Sequence, residues 1–473
     1  MERQGKPSGP AAARARRMAL IATALAALAA VALSLASLVS CAGLPSRSSP
    51  YDGAWLSEAF GYRAEIRGSR IELYDISLAG STRLMAGRIT GDKIELSGIP
   101  GLPLSGRLTL EGPSLRMALN ETIHYDFIGL PGGSVLPPPV PKTPVGNFDA
   151  LAATFAERYA FFGARGVDWE ARVAKLRPKA ASVKDDRELF ALLSELISPL
   201  DDSHVGLYDL RGGEYSPASP IPWEGSAQRF VDTIKASYLA VPPTKAAGGK
   251  LAWGRLKAGP AYMVLTGMEG YANEETDPGA RAKAEAAALD DGLDRALSAA
   301  AGAPGLILDL RFNGGGYDAH ALRVAARFAR ERKLAYTRGI PKGGAPGAVE
   351  SFYIEPAQAK PCWTGPLVVL VSKRTTSAAE TLCLCLGALP GTTFVGETTN
   401  GAFSDMLYKR LPNGWLFTLS NEEYRDSRGI CHEGKGIEPD VAAPMDLGAA
   451  AEGRDPALDA AIALIAGRAH TMP

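Results

Sequence analysis

Gly305-Leu-Ile-Leu-Asp-Leu-Arg-Phe-Asn-Gly-Gly-Gly316 is the stretch on which the fold turns. It opens with Leu306 to Leu308 and continues to Leu310, the pattern of a strand buried on both faces. Asp309 and Arg311 interrupt the run, and three glycines close it. Glycine admits backbone conformations closed to other residues and lets bare N–H groups come close to a ligand. The turn therefore reads in two ways: a flexible end to a core strand, or a loop whose N–H groups face a developing negative charge.

Further apolar runs flank this one. Ala261-Tyr-Met-Val-Leu-Thr266 and Pro366-Leu-Val-Val-Leu-Val-Ser372 read as strands. Between them, Leu289, Leu293 and Leu297 mark an amphipathic helix over Ala280–Ala301, and a second helix is expected over Ala319–Arg332. Strands alternating with helices predict a mainly parallel, layered α/β sheet. Upstream, Phe148, Leu151, Phe155 and Tyr159 recur at helical spacing, as do Leu189, Leu192, Leu193, Leu196 and Ile197. Residues 211–250, rich in Gly, Ser and Pro, carry no clear period. From Tyr51 to about Leu130 the text alternates as strands do, with turn signals at Thr90-Gly-Asp92 and Glu111-Gly-Pro-Ser114. This predicts a small antiparallel β domain, a barrel or sandwich.

The expected organisation is a signal peptide at 1–40, a lipidated tether at 41–50, the β domain at 51–130 and a proline-rich linker at 131–145. A helical region at 146–215, an α/β domain at 250–445 and a C-terminal helix at 446–473 complete it. Arg14, Arg16 and Arg17 precede an apolar run from Met18 to Ser40, and Leu38-Val-Ser-Cys41 resembles the lipobox of bacterial lipoproteins. Lipidation at Cys41 would hold the chain on a membrane facing the periplasm or the exterior; an uncleaved transmembrane anchor is the other reading. Both place the bulk of the chain outside the cytoplasm.

Across 473 residues Lys+Arg and Asp+Glu both total 51, so no basic field invites nucleic acid. Histidines and cysteines do not group at metal-ligand spacings and no nucleotide motif is present, so no metal or cofactor is expected. Cys362, Cys383, Cys385 and Cys431 leave their pairing open.

Chemistry concentrates after the second apolar strand, in Lys373-Arg-Thr-Thr-Ser-Ala-Ala-Glu380. A serine at a strand-to-helix junction meets the positive end of a helix dipole beside free N–H groups; it can also serve simply as a cap. His204, in Asp201-Asp-Ser-His204 just after a helix, is a candidate base. The Gly-x-Ser-x-Gly elbow of α/β-hydrolases is not found around Ser377.

Together, Asp309–Gly316, Thr376–Glu380, Val395-Gly-Glu-Thr-Thr399 and Gly436-Ile-Glu-Pro-Asp-Val441 resemble the tail-specific (C-terminal processing) serine peptidases. Asn147 to His204 looks like the helical region of their tricorn-like branch. The resemblance implies a ClpP/crotonase-like catalytic domain and a peptide or protein substrate. It implies Ser377 as nucleophile, His204 as base with Ser203 beside it, and Glu433 as the acid, with Glu438 as its alternate. Ala378 and Gly315 would supply oxyanion N–H groups, with Gly314 and Gly316 as alternates; Asn313 and Arg311 would hold the loop's shape. His320 and His432 compete with His204. Ala402 stands where relatives with a Ser–Lys dyad carry lysine, and too little chain separates His204 from Trp253 for a PDZ domain. The implied activity is an extracytoplasmic serine endopeptidase. A catalytically silent relative that binds a hydrophobic ligand or protein, or an esterase, is the alternative; oligomeric state is open.

Overall fold

The computed structural model describes residues 49–99, 104–119, 122–209, 211–272, 278–341 and 349–469. The expected signal peptide and Cys41 lie outside them. Among the described residues no helix is long and apolar enough to cross a membrane.

The chain opens with eight antiparallel strands: β1 (Gly53–Ser57), β2 (Tyr62–Arg67), β3 (Arg70–Ser77), β4 (Gly80–Thr90), β5 (Lys93–Ser97), β6 (Leu104–Glu111), β7 (Ser114–Ala118) and β8 (His124–Gly129). Each pairs with the next, and β1 pairs back with β8 through Trp55 and Gly129, closing a barrel. Alternation along the strands turns Ile66, Ile71, Leu73, Ile94, Leu115 and Phe127 inward, where they are buried. The barrel interior is a packed core.

Helix Pro144–Arg158 follows, capped by Thr143, whose hydroxyl accepts from the Gly146 N–H, with Pro144 in the first turn. Asp168 and Asp185 cap the helices Trp169–Ala180 and Asp186–Ile197 in the same manner. One apolar cluster joins the barrel core to Phe148, Phe155 and Leu193 of these helices and to Phe417.

The second half is built on a seven-stranded sheet. Its spatial order is Thr244–Ala246, Leu251–Arg255, Ala261–Leu265, Leu306–Asp309, Leu367–Val371, Thr392–Gly396, Val441–Ala442. The last four pairings are parallel. Leu306, Leu308 and Val369 face the helices Pro278–Ala300, Asp318–Ala325 and Ala378–Gly387 in one cluster. Ile307, Val368 and Leu370 pack with Leu458, Ala461 and Ile465 of the C-terminal helix in another. Side chains that alternate along a strand thus find apolar partners in both clusters, which is why these strands read as unbroken apolar runs.

Two stretches differ from the sequence reading. The helix expected to reach Arg332 ends at Ala325. The carbonyls of Ala326 and Arg327 instead accept the N–H groups of Ala357 (3.1 Å) and Trp363 (2.8 Å), so the chain is pulled out of helical pairing. The unassigned 211–250 region holds the helix Ala227–Thr233, a π-helical turn Ile234–Tyr238 and the strand Thr244–Ala246. Cys362, Cys383, Cys385 and Cys431 are all free thiols, with Cys383 and Cys385 buried.

A four-stranded antiparallel sheet positions the site. Gly206–Tyr208 pairs with Leu416–Ser420, and that strand pairs with Met406–Arg410. The first and last of these run in the same direction, so His204 and Ser404 enter the sheet from the same end.

Candidate active site

Ser377 lies between the fully buried strand Leu367–Val371 and the helix Ala378–Gly387. The turn is tied to the glycine-rich strand end by two hydroxyls: Ser372 Oγ donates to the Arg311 carbonyl (2.6 Å) and Thr375 Oγ1 to the Leu310 carbonyl (3.0 Å). Held this way, Ser377 takes φ +59° and ψ −132°, a region populated almost only by glycine. Such strain costs about 1–3 kcal/mol and persists where the surroundings enforce it. The Ser377 hydroxyl does not cap the helix. Its backbone N–H donates to the Ala402 carbonyl at 3.0 Å, and among the described residues the Ala378 N–H carries no hydrogen bond.

Gly315 touches the nucleophile candidate directly. A Cβ added to it would lie 2.6 Å from Ser377 Cβ and 2.8 Å from the Thr376 carbonyl oxygen, and its φ is +94°. Its N–H, however, donates to Asn313 Oδ1 at 2.9 Å, which corrects the expectation that it points at a substrate carbonyl. Asn313 sits two residues back and its side chain folds onto the loop, so this amide is already engaged. The glycine is required here for space beside Ser377. The N–H groups of Gly314 and Gly316 carry no hydrogen bond among the described residues. Arg311 is buried and bonded to Asp309 (2.7 Å) and Asp455 (2.9 Å), fixing the loop's base.

His204 is buried, on a turn that Asp201 enters at φ +44°. Asp202 shapes that turn: Oδ1 accepts from the His204 N–H and Oδ2 from the Tyr159 hydroxyl, both at 2.9 Å. The imidazole faces the Ser404 backbone and Asp405. Burial lowers its pKa below the ordinary 6.5, outweighing the upward pull of Asp202 and Asp405. The segment Ala402-Phe403-Ser404 therefore has Ser377 on the Ala402 carbonyl and His204 against Ser404. Ser377 and the His204 Nδ1 atom share no hydrogen bond, and that nitrogen is buried without a partner.

Glu433 is buried behind the same segment. Its Oε2 accepts from the Phe403 (2.8 Å) and Ser404 (3.1 Å) N–H groups, while Oε1 lies 3.7 Å from Arg165. Arg165 also stands 3.9 Å from Asp202, so one guanidinium serves both acids. Burial, with Asp202 adding to it, holds the Glu433 carboxyl well above its ordinary range. Ser203 Oγ donates to Asn400 Oδ1 at 2.9 Å.

The competing residues are placed apart. His320 Nδ1 bonds the Met268 carbonyl at 2.7 Å, and the ring packs tilted against Tyr271 and edge-on to Tyr317, a structural role. His432 bonds Asp426 at 3.3 Å, and Glu438 is exposed. Two residues that the sequence reading did not single out matter here. Glu380 accepts from Thr399 Oγ1 (2.5 Å) and from the N–H groups of Gly401 (2.7 Å) and Ala402 (2.8 Å), binding the loop to the Ser377 helix. Asn400 is the second; its spacing after Val395-Gly-Glu was the available signal. Among the described residues no His/Cys/Asp/Glu group could hold a metal ion.

The described residues build an α/β protease fold with a β-rich N-terminal module. Residues 261–443 match the peptidase family S41, and residues 141–198 match the tricorn protease C1 domain. The chain thus carries a peptidase S41 domain together with a tricorn protease C1 domain, and the pair supports the tail-specific, tricorn-like S41 family. The carboxy-terminal processing protease CtpA of Bacillus subtilis is 31% identical over 144 residues, covering 30% of this chain and 29% of its own. A carboxyl-terminal-processing protease of Synechocystis is 32% identical over 169 residues, 35% of this chain and 38% of its own. The matches thus span well under half of each relative. A solved structure from Parabacteroides merdae aligns over 69% of this chain and 97% of its own at 24% identity, with a TM-score of 0.59, a likeness of fold.

Proposed function

We propose that this protein is a membrane-tethered, extracytoplasmic serine endopeptidase that cleaves peptide bonds through an acyl-enzyme on Ser377. The observation that carries the reading is the strained backbone of Ser377 at φ +59°, beside the unpaired Ala378 N–H. His204, neutral because it is buried, takes the hydroxyl proton as Ser377 Oγ attacks the scissile carbonyl carbon. The oxyanion then forms against the Ala378 N–H and one from Gly314 or Gly316, each donor contributing about 2.7–4 kcal/mol. His204 returns the proton to the leaving amine, and water, deprotonated by the same base, releases the acid product. Glu433 and Asp202, with Arg165 between them, orient the base from behind.

In this reading the sheet with its flanking helices is the ClpP/crotonase-like layer arrangement. Ala402 replaces a dyad lysine, and its buried N–H is bonded to Glu380 rather than to any base. Among the described residues, the chain between His204 and Trp253 forms short strands, one short α-helix and 3-10 and π-helical turns in place of a PDZ domain. The tether rests on the lipobox-like Leu38–Cys41, and loss of palmitate labelling in Cys41→Ala tests it. For the activity, purified protein is assayed against a peptide library and acyl esters and labelled with a fluorophosphonate. Ser377→Ala is expected to abolish both cleavage and labelling with the melting midpoint retained. Labelling that survives would refute Ser377 as nucleophile, and ester turnover without peptide turnover would make the protein an esterase.

A further inference from the structure

Asn400 makes four hydrogen bonds, and they divide between two loops. Toward the base, its Oδ1 accepts from Ser203 Oγ at 2.9 Å, and Ser203 is the residue next to His204. Toward the nucleophile, its N–H donates to the Thr375 carbonyl at 3.0 Å and its Nδ2 to the Lys373 carbonyl at 3.2 Å. Lys373 Nζ returns a bond to the Asn400 carbonyl at 3.2 Å. Thr375 precedes Ser377 by two residues. Because a carbonyl only accepts, the Lys373 contact fixes the amide nitrogen on that side and leaves the amide oxygen for Ser203.

The rest of the segment is held against the Ser377 helix. Glu380 takes the N–H groups of Gly401 (2.7 Å) and Ala402 (2.8 Å), and the Ala402 carbonyl takes the N–H of Ser377 (3.0 Å). Asn400 therefore stands on backbone that moves with the nucleophile and grips the loop that carries the base. The chain joins these loops only through a long path, from residue 203 to residue 400. A cross-link at that separation sets a distance which chain connectivity does not.

We infer that Asn400 is a positioning residue that sets the spacing of His204 and Ser377 through Ser203, an inference that rests on those two being base and nucleophile. Proton transfer needs hydrogen-bond reach, and a misplacement of about 1 Å can cost about a hundredfold in rate. A side chain of this kind acts on the chemical step and leaves substrate contacts alone.

The test uses the full chain, with fluorophosphonate labelling rate, kcat and KM on a cleaved peptide, and the melting midpoint measured for each variant. Asn400→Ala and Ser203→Ala are each expected to slow labelling and kcat by about ten- to a hundredfold with KM within about twofold. The double variant should be no slower than the worse single one, because both remove the same link. Multiplicative losses in the double variant, or wild-type labelling in Asn400→Ala, would overturn the inference. If Asn400→Ala does not fold, Ser203→Thr keeps the hydroxyl that donates to Asn400. Slow labelling in Ser203→Ala with most of the rate kept in Ser203→Thr supports the inference, and wild-type labelling in Ser203→Ala overturns it. Ser377→Ala separates the two layers. If it still labels, the nucleophile assignment itself falls; if it is silent while Asn400→Ala labels normally, only the positioning role falls.

Discussion

His204 has to be uncharged to accept a proton, and its surroundings set the pH at which that holds. Burial disfavours the imidazolium, Arg165 adds to that, and Asp202 and Asp405 oppose it with a smaller combined effect. The folded pKa therefore lies below 6.5. The acid limb of kcat/KM is expected to fall at a pH below 6.5, read from a profile on a peptide without titrating groups. A limb centred above 7 would assign the base to another group. The same shift acts on stability. As pH drops below the unfolded value the unfolded chain takes up the proton first, so His204 favours unfolding progressively down to its folded pKa. At this scale the residue types that carry the chemistry were legible in the sequence, since Ser377 and His204 sit at a strand–helix junction and a helix-ending turn. Which of three adjacent amides faces a substrate was not legible. It depends on the φ of +94° at Gly315 and on the reach of Asn313, neither of which is written in residue types. Asn400 escaped for a related reason: a polar residue in a loop has no periodicity or reactivity to mark it, and its spacing after Val395-Gly-Glu was the one signal.

The elements that frame the site were readable wherever burial on both faces writes an apolar run, as in Leu306–Asp309 and Leu367–Val371. They were less readable where tertiary bonds overrule local preference, as at the shortened helix Asp318–Ala325. One element hides a charge cluster that no pattern would reveal. The strand Lys333–Gly339 presents Arg338, buried, to Glu422 (3.7 Å), Glu350 (3.0 Å) and Asp405 (3.5 Å). Nearby, burial raises Glu422 to about 8 and Asp318 to about 7, while Arg338 pulls both downward. Asp405 belongs to the segment that faces His204, so this cluster underlies the site. Arg338→Met is expected to cost about 3–5 kcal/mol, because it leaves buried acid without its counter-charge. Chemical denaturation at pH 9, where both Glu422 and Asp318 are ionised, measures the loss. Glu422 and Asp318 have folded pKa values above their unfolded ones, so the stability they contribute is present at low pH and lost as pH rises through about 7–8. The variant should therefore recover part of its deficit at pH 5.5, and an equal deficit at both pH values would refute the electrostatic cause.

At the scale of the whole molecule, the barrel is fastened to the strand that leaves the site. Lys409, on Met406–Arg410, is buried against β3 and the turn before β2. Its Nζ donates to Asp75 (2.8 Å) and the Phe60 carbonyl (2.7 Å) and stands 3.9 Å over the Tyr62 ring. The Arg410 N–H donates to the other Asp75 oxygen (2.8 Å), and Tyr62 donates its hydroxyl proton to the Tyr408 carbonyl (2.8 Å). Three residues separate Asp405 from Lys409, so the barrel grips the same stretch that faces the base. The sequence reading set this module apart as a β domain ahead of a linker, with no part in the site, because alternation shows which face of a strand is buried and not what the outer face meets. Lys409→Met leaves Asp75 buried without its counter-charge, and is expected to cost about 3 kcal/mol. It should also speed cleavage by trypsin between residues 130 and 144, seen by mass spectrometry under native conditions; wild-type resistance there would show that the grip does not depend on this lysine.

Because β1 pairs back with β8, every barrel strand has a neighbour on each side. Such a surface has no row of unmatched amides on which an incoming chain can build another strand. A partner that recognises the barrel must therefore read side chains alone. Any sheet-to-sheet stacking of two copies has to begin elsewhere, at a short terminal strand such as Thr244–Ala246, where Lys245 is exposed to discourage it. Closure of the barrel is thus a safeguard against aggregation.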